Sequence, residues 1–315
     1  MKYNMNFKTC LVLLLSVLSV ASCSDWTDIE PQDIDLQDPS QQDPALWARY
    51  LESLRQYKLE SEHYLTYGVF ACGAQTSADE SSYLRSLPDS LDFVAMDHSD
   101  RLTAYDREDI PLLQQKSTRM LYRLDYAAQA DALADANRLG AWVDEAVSTA
   151  AELQLDGFAL TGIPLYGGTE AELTARCEAA ALIVQKLSAT GKVLVFEGDP
   201  AFLDHAGCLE QADYVVLNTA EKAHAVDLKL YVSQVLQTYA DRLPKERLLL
   251  SANIGSGIVN EENQQQDAVT DMTDRVVSLG HLGGLAIYSL NDDYQPVQMN
   301  YQTTRTAIQL LNPSR

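Results

Sequence analysis

The chain has 315 residues, with 23 Lys or Arg against 45 Asp or Glu, and its formal net charge is −22. So acidic a chain argues against nucleic acid and anionic lipid head groups as partners. It contains only five cysteines, none in Cys-x-x-Cys spacing, and five scattered histidines. This pattern argues against a disulfide framework or a zinc site, and we predict no metal and no cofactor.

Residues 1–22 have the features of a targeting segment. Lys2 and Lys8 give it a positive start, and residues 11–20 form an apolar run that is too short to span a bilayer. The run ends in Val-Ala-Ser-Cys, an order that resembles the lipobox of bacterial lipoproteins. The resemblance implies a lipoprotein signal peptide, cleavage before Cys23, and attachment to a lipid bilayer through the acylated Cys23 thiol.

Residues 23–45 follow as an acidic, glutamine-rich and proline-containing stretch without an apolar period. Such a composition predicts a flexible tether. Aspartates soon after a lipidated cysteine also resemble the export signal of surface lipoproteins in glycan-degrading Gram-negative bacteria. That resemblance implies a cell-surface position on the outer membrane, whereas an ordinary linker explains the composition equally well.

Residues 46–315 predict a single α/β domain. Short apolar segments alternate eight times with helical patterns, and their Val- and Leu-rich character is typical of parallel strands buried on both faces. Eight β/α units predict a TIM (β/α)8 barrel rather than an open sheet, because no glycine-rich nucleotide-binding motif follows a strand. The predicted strands are residues 65–71, 91–97, 119–124, 155–160, 192–197, 212–217, 247–252 and 283–289.

The intervening segments carry helix signals. Residues 139–150 place their apolar side chains at the spacing of one helical face. Thr169 and Glu172 predict a capping box at the start of another helix, and Gly191 predicts its end.

The predicted fourth strand carries the most informative motif. Its sequence LDGFALTGI resembles the fourth barrel strand of glycoside hydrolase family 18, the chitinases and endo-β-N-acetylglucosaminidases, which reads Asp-Gly-x-Asp-x-Asp-x-Glu. Asp156 and Gly157 match the first pair, but the later acidic positions fall on Ala159, Thr161 and Ile163. The resemblance therefore implies that the fold is kept and that the catalytic carboxylates are lost.

A second motif lies at the predicted last strand. Residues 283–294, GGLAIYSLNDDY, resemble the GGxxxWSxDxD end of a chitinase barrel, where an aromatic side chain forms the floor under the bound sugar. Tyr288 takes that position here. The closest likeness is to family 18-like lipoproteins of glycan-utilisation loci, some of which are endo-β-N-acetylglucosaminidases while others look like surface glycan-binding proteins.

The resemblance also implies what the missing residues would have done. Family 18 hydrolysis uses the N-acetyl oxygen of the substrate as nucleophile, a Glu as general acid, and an Asp two residues earlier to orient the amide. Thr161 and Ile163 supply neither function, so we predict no catalytic residue in this motif and a structural role for Asp156. Other carboxylates at predicted strand ends leave a relocated acid open; they are Asp97, Asp125, Glu197, Asp199, Asp292 and Asp293.

Sugar binding requires aromatic faces and planar polar groups around one mouth. We predict an oligosaccharide ligand, such as an N-glycan or chitin-like glycan containing N-acetylglucosamine, and outer-membrane glycan transporter components as further partners. The alternatives are an active endo-β-N-acetylglucosaminidase with a relocated acid and a structural subunit of a surface glycan-uptake complex. The predicted ligand-binding residues are Phe70, Asp97, Arg123, Asp125, Tyr166, Glu197, Asn218, Asn253, Tyr288 and Asn291.

Overall fold

The structure, a computed structural model, describes residues 39–60, 62–76, 79–162, 168–280, 282–294 and 299–313. Its centre is a closed barrel of eight parallel strands, in agreement with the predicted TIM barrel. The barrel strands are β1 Leu65–Ala71, β2 Phe93–Asp97, β3 Arg119–Leu124, β4 Gly157–Thr161, β5 Val193–Glu197, β6 Tyr214–Val216, β7 Leu248–Asn253 and β10 Gly284–Tyr288.

The helices from α3 onward alternate with the barrel strands, and a short antiparallel hairpin of β8 Gly257–Val259 and β9 Gln265–Asp267 follows β7. Thr169 and Glu172 form the predicted capping box. Among the described residues, no helix combines the length and apolar content needed to cross a bilayer. The helices are α1 Pro39–Gln42, α2 Pro44–Lys58, α3 Ala104–Gln115, α4 Tyr126–Gln129, α5 Ala136–Glu152, α6 Glu170–Ser188, α7 Ala201–His205, α8 Ala225–Tyr239, α9 Ala268–Ser278 and α10 Gln302–Leu311.

Arg49–Arg315 form one compact unit. The predicted signal peptide, including Cys23, lies outside the described residues, as does most of the predicted tether. Among the last tether residues, 39–42 form α1 and 44–45 begin α2, with Asp43 between the two helices. Both helices begin with proline, whose fixed φ suits the first helical position and whose missing N–H is not needed there.

Side chains alternate between two cores along each strand. One set fills the barrel interior, with Tyr67, Phe93, Ala159 and Val195 among its members. The other set packs between the strands and the helices and forms the larger core. Because both sets are apolar, the strands read as continuous hydrophobic runs in the sequence.

Three aspartates clamp neighbouring strands at the amino-terminal end of the barrel. Each stands directly before an even-numbered strand and accepts a hydrogen bond from a backbone N–H of the preceding strand, so that this amide is paired. Asp156, the first residue of the family motif, therefore has the predicted structural role. The bonds run from Thr66 N to Asp92 Oδ2 (2.7 Å), from Met120 N to Asp156 Oδ2 (2.8 Å) and from Leu194 N to Asp213 Oδ2 (2.8 Å).

Candidate functional site

The last inward-facing position of several strands is polar, and these positions meet at the carboxyl-terminal end of the barrel. On β3 and β5, Leu121 and Val195 lie in the barrel interior. Because a strand repeats every two residues, Arg123 and Glu197 point to the same side, one step nearer the mouth. Strand pairing sets Glu197 beside Thr161 of β4.

Glu197 is the centre of a buried polar network. Its side chain is 4% exposed, and the guanidinium of Arg123 donates to both of its oxygens at 2.9–3.1 Å. The Tyr67 hydroxyl donates to Oε1 at 2.5 Å, and the Tyr288 hydroxyl donates to Oε2 at 3.3 Å. Arg123 also reaches Asp97, with 2.9 Å between Nη1 and Oδ1. Each Glu197 oxygen is therefore an acceptor held by a tyrosine and a guanidinium.

The network keeps its donors protonated. Burial alone would lower the pKa of Arg123, but the carboxylates of Glu197 and Asp97 raise that pKa above its usual range. Burial, followed by the charge of Glu197, raises the pKa values of Tyr67 and Tyr288 well above that of a free tyrosine. At neutral pH these three side chains therefore act as hydrogen-bond donors and do not exchange protons with a ligand.

A cleft of about 300 Å³, here called the mouth cleft, opens above the network. It contains one guanidinium and four carboxylates, so its formal charge is negative. It is lined by Arg123, Asp125, Ala127, Thr161, Gly162, Glu197, Gly198, Asp199, Asn218, Ala220, Glu221, Ser251, Asn253 and Tyr288.

The structure describes two of the three motif positions at which the family's acids are replaced. At one the side chain is packed inside the barrel, and at the other it is hydrogen-bonded. Ala159 is fully buried inside the barrel. The Thr161 hydroxyl donates to Asp125 Oδ1 at 2.9 Å and accepts from the backbone N–H of Ala127 at 2.9 Å. Ile163 lies outside the described residues. Thr161 thus ties β4 to the loop that follows β3.

The structure brings six of the predicted ligand-binding residues to the mouth cleft: Arg123, Asp125, Glu197, Asn218, Asn253 and Tyr288. The Asn218 amide is held there, since its Oδ1 accepts from the Tyr231 hydroxyl at 2.7 Å and its Nδ2 donates to Glu221 Oε2 at 2.9 Å. Asp97 pairs with Arg123 but borders a neighbouring cleft.

Phe70 and Asn291 do not line the mouth cleft, and the burial of Phe70 corrects its predicted role. Phe70 is fully buried in the core between strands and helices. The Asn291 side-chain amide forms hydrogen bonds with the backbone of Ala71 and Ser81 and so holds these segments together. Tyr166 lies outside the described residues.

The predicted set omits several residues that shape the site. The sequence does not mark Tyr67 as a site residue, because Tyr67 lies in the middle of a strand that is apolar on both faces. Glu221 follows β6 and Ser251 belongs to β7, and neither strand carries a distinctive motif. Asp199, two residues after the predicted strand 192–197, is predicted as a possible relocated acid but not as a ligand-binding residue, although the carboxyl ends of barrel strands form the site.

No three His, Cys, Asp or Glu side chains are grouped to hold a metal ion within the ranges that the structure describes.

Residues 27–310 match the family model described as glycoside hydrolase family 18, BT1044-like. No curated protein sequence matches the chain.

Solved structures of the same fold are similar to this chain at low identity. A selenomethionine form of BT1044 with a Glu-to-Gln substitution has a TM-score of 0.64 and 16% identity, covering 87% of this chain and 95% of that one. Apo endo-β-N-acetylglucosaminidase from Cordyceps militaris has a TM-score of 0.62 and 15% identity, covering 84% and 95%. Its doubly substituted form, in complex with fucosyl-N-acetylglucosamine-Asn, has a TM-score of 0.59 and 17% identity with the same coverage.

Proposed function

The chain belongs to glycoside hydrolase family 18, and from that premise we propose that it is a non-hydrolytic member that binds a glycan containing N-acetylglucosamine at the mouth cleft. Two facts together carry the proposal: the acidic residues of the motif are absent, and Glu197 is held in a hydrogen-bond network. The motif acids of β4 are replaced, and Glu197, which lies beside Thr161 on the neighbouring strand β5, is fully engaged with Arg123, Tyr67 and Tyr288.

The replaced positions remove the family's acid chemistry. A positioned general acid contributes roughly 10²–10⁴ in rate, and the hydrolysis of a glycosidic bond requires such a group beside the leaving oxygen. Ala159 has no proton to give and is buried, and the Thr161 hydroxyl is already directed at Asp125. Ile163, at the position of the general acid, is an aliphatic residue.

Glu197 is not suited to replace the missing acid. Its two oxygens accept hydrogen bonds from Arg123 and from two tyrosines. A general acid has to donate its own proton toward the substrate, whereas every neighbour of Glu197 in this network is itself a donor. The network therefore supports a role in shaping the cleft floor.

The mouth cleft retains what saccharide binding requires. Its volume of about 300 Å³ is close to the lower limit of about 300 Å³ for small-molecule sites. Asn253 and Asp199 supply planar polar groups, and the ring of Tyr288 supplies a surface for sugar C–H groups. Sugar hydroxyls both donate and accept, so carboxylates and amides can pair with them.

The cellular setting is part of the same proposal. The lipobox-like end of the leader supports acylation of Cys23, and the acidic residues that follow support display on the outer membrane of a Gram-negative cell. There the protein would hold a glycan for an outer-membrane transporter. Cys23→Ala is expected to remove the protein from the outer-membrane fraction, and unchanged partitioning of this variant would contradict the anchoring proposal.

The test of function is binding and turnover on the same ligands. Calorimetry with N,N′-diacetylchitobiose, longer chitooligosaccharides and released N-glycans is expected to detect binding, and mass spectrometry is expected to detect no product. Tyr288→Ala should weaken binding, while Arg138→Ala on an outer helix should not.

The second candidate function is hydrolysis by a relocated acid. Asp125 and Asp199 favour it, because both carboxylates border the mouth cleft. Turnover that Asp125→Asn or Asp199→Asn abolishes would replace the binding proposal with this one. If neither binding nor turnover is found, the remaining hypothesis is that the protein is a structural subunit of an uptake complex.

A further inference from the structure

A second cleft lies beside the mouth cleft, and we propose that it binds a further neutral sugar unit of the same glycan; this rests on the proposed function. Its volume is about 290 Å³. It opens between the loops that follow β2 and β3 and the first half of α5. We call it the outer cleft, and the residues that carry the argument are Asp97, His98, Arg101, Tyr122, Gln129 and Trp142.

The two clefts are neighbours that share part of their lining. Arg123 and Asp125 line both of them, so a chain of sugar units can lie across this pair of residues with one unit in each cleft. Each cleft alone is at the lower limit of about 300 Å³ for ligand sites. Occupation of both would bury more of an oligosaccharide than either cleft could.

The outer cleft has an aromatic platform. Trp142 of α5 lines the cleft, is half-buried and packs against the main core, which restricts its side chain. Tyr122 of β3 also lines the cleft but is only 5% exposed, so Trp142 offers the more accessible ring. A rigid aromatic face loses little side-chain entropy when a pyranose ring packs on it, because packing has already immobilised it.

Polar groups of both signs surround this platform. Asp97 uses Oδ1 to accept from Arg123, while its Oδ2 lies 3.7 Å from Nε2 of the exposed His98. Within the described residues, the exposed Arg101 side chain makes no ion pair or hydrogen bond. Neighbouring sugar hydroxyls can donate to the carboxylate and accept from the guanidinium or the Gln129 amide.

Charge distinguishes the outer cleft from the mouth cleft. The mouth cleft holds four carboxylates and one arginine. In the outer cleft two arginines, Arg101 and Arg123, face the three aspartates Asp97, Asp100 and Asp125. The nearly balanced outer cleft is therefore suited to an uncharged sugar unit rather than an acidic one.

The backbone at His98 supports a binding role for this corner. His98 follows β2 directly and has φ 59° and ψ 39°, the left-handed region. Residues other than glycine adopt it seldom, and such positions cluster at ligand sites. The turn directs the chain so that His98 and Arg101 border the same cleft.

The experiment compares two probes on the full-length protein, in detergent if it is acylated. One probe is N,N′-diacetylchitobiose, and the other is the mannotriosyl-diacetylchitobiose core of N-glycans, which adds neutral hexoses. Trp142→Phe and Arg101→Ala are expected to weaken the longer probe by about tenfold each and to leave the shorter one within about twofold. Arg138→Ala, an exposed arginine of the same helix, is the matched control.

The outcomes separate this inference from the function on which it rests. If the wild type binds neither probe, the proposed function fails. If it binds both and Tyr288→Ala weakens both, while Trp142→Phe and Arg101→Ala change neither affinity, the outer cleft is overturned and the function stands. Equal weakening of both probes by the outer-cleft variants would also overturn the inference. Arg101→Ala carries the test if Trp142→Phe lowers the unfolding temperature.

Discussion

The two ends of the barrel use charged side chains differently. At the amino-terminal end, Asp92, Asp156 and Asp213 each accept a backbone N–H of the neighbouring strand. At the carboxyl-terminal end, carboxylates such as Asp199 and Glu221 line a cleft. The first group pairs the strands of the barrel, and the second borders the open space of the mouth cleft.

The family motif spans both ends of β4, and its first half is retained in this chain while its second half is not. Asp156 clamps the start of the strand, and at Gly157 an added Cβ would lie 2.2 Å from the carbonyl oxygen of Val193. Both residues are required by the fold. Ala159 and Thr161 lie further along the strand, facing the barrel interior toward the mouth, where catalytic carboxylates can be lost while the barrel remains closed.

The largest expected effect is at the mouth. Arg123→Met leaves Glu197 buried without its cation, and removing one partner of a buried pair costs about 3–5 kcal/mol of unfolding free energy. Urea denaturation measures it. The double variant Arg123→Met with Glu197→Gln should recover much of the loss, because the uncompensated charge is gone. A loss below about 1 kcal/mol in the single variant would mean that Glu197 is not held by this pair.

At the opposite end we expect a smaller loss. Asp156→Ala leaves the Met120 N–H without its partner at the base of β4, which costs about 1–3 kcal/mol. Asp213→Ala should behave alike. Asp92→Ala should cost more, because Asp92 also accepts from the Thr66 hydroxyl and lies 2.9 Å from His63 Nε2. Asp100→Ala, an exposed aspartate at the carboxyl-terminal end, is the control, with a change within about 0.5 kcal/mol. Equal stability losses at Asp100 and Asp156 would contradict the division between the two ends.

The barrel could be predicted from the sequence because each strand is apolar on both faces and each is followed by a helix signal. β1 and β3 span the predicted residues, while β2 starts at Phe93, two residues later than predicted, since Leu91 and Asp92 lead into the clamp. The same continuous burial concealed which side chains face inward. Phe70 and Tyr67 look alike in the sequence, yet only Tyr67 points into the barrel.

The polar network could not be predicted, because its members are distant in the chain. Arg123 and Glu197 are separated by 74 positions, and Tyr67 and Glu197 by 130. Placing them together requires the strand register of the closed barrel. Strand ends alone identified six of the fourteen residues that line the mouth cleft, since the carboxyl ends of the strands meet there whatever the register.

A third prediction concerns affinity at the mouth rather than stability. Tyr288→Ala removes the ring that borders the mouth cleft, and loss of a stacking face costs about 1–3 kcal/mol of binding free energy. Calorimetry with N,N′-diacetylchitobiose measures it. Tyr288→Phe keeps the ring and loses only the bond to Glu197, so its affinity should stay closer to that of the wild type. Unchanged affinity in Tyr288→Ala would remove the mouth cleft as the binding site.

The smallest expected effect is on stability as a function of pH, and it concerns Lys58, a buried cation at the amino-terminal end of the barrel. Whereas Arg123 pairs with carboxylates, the ammonium of Lys58 donates to the carbonyl oxygens of Leu91 and Lys116 at 2.6 and 3.0 Å and to the Thr118 hydroxyl at 2.9 Å. Burial lowers the pKa of Lys58 from 10.5 to about 8, against the opposing charges of Asp92 and Asp89.

This difference in partners gives Lys58 a distinct pH dependence. Between pH 8 and 10.5 the unfolded chain binds the lysine proton more fully than the folded chain, so stability contributed by this group rises with pH. From pH 8 to 9 the gain is about 1 kcal/mol. Urea denaturation across that interval should show the rise in the wild type and in Lys229→Gln, an exposed lysine variant, and not in Lys58→Gln. An equal rise in Lys58→Gln would show that its titration does not control stability at this end, leaving its hydrogen bonds to backbone carbonyls as its contribution.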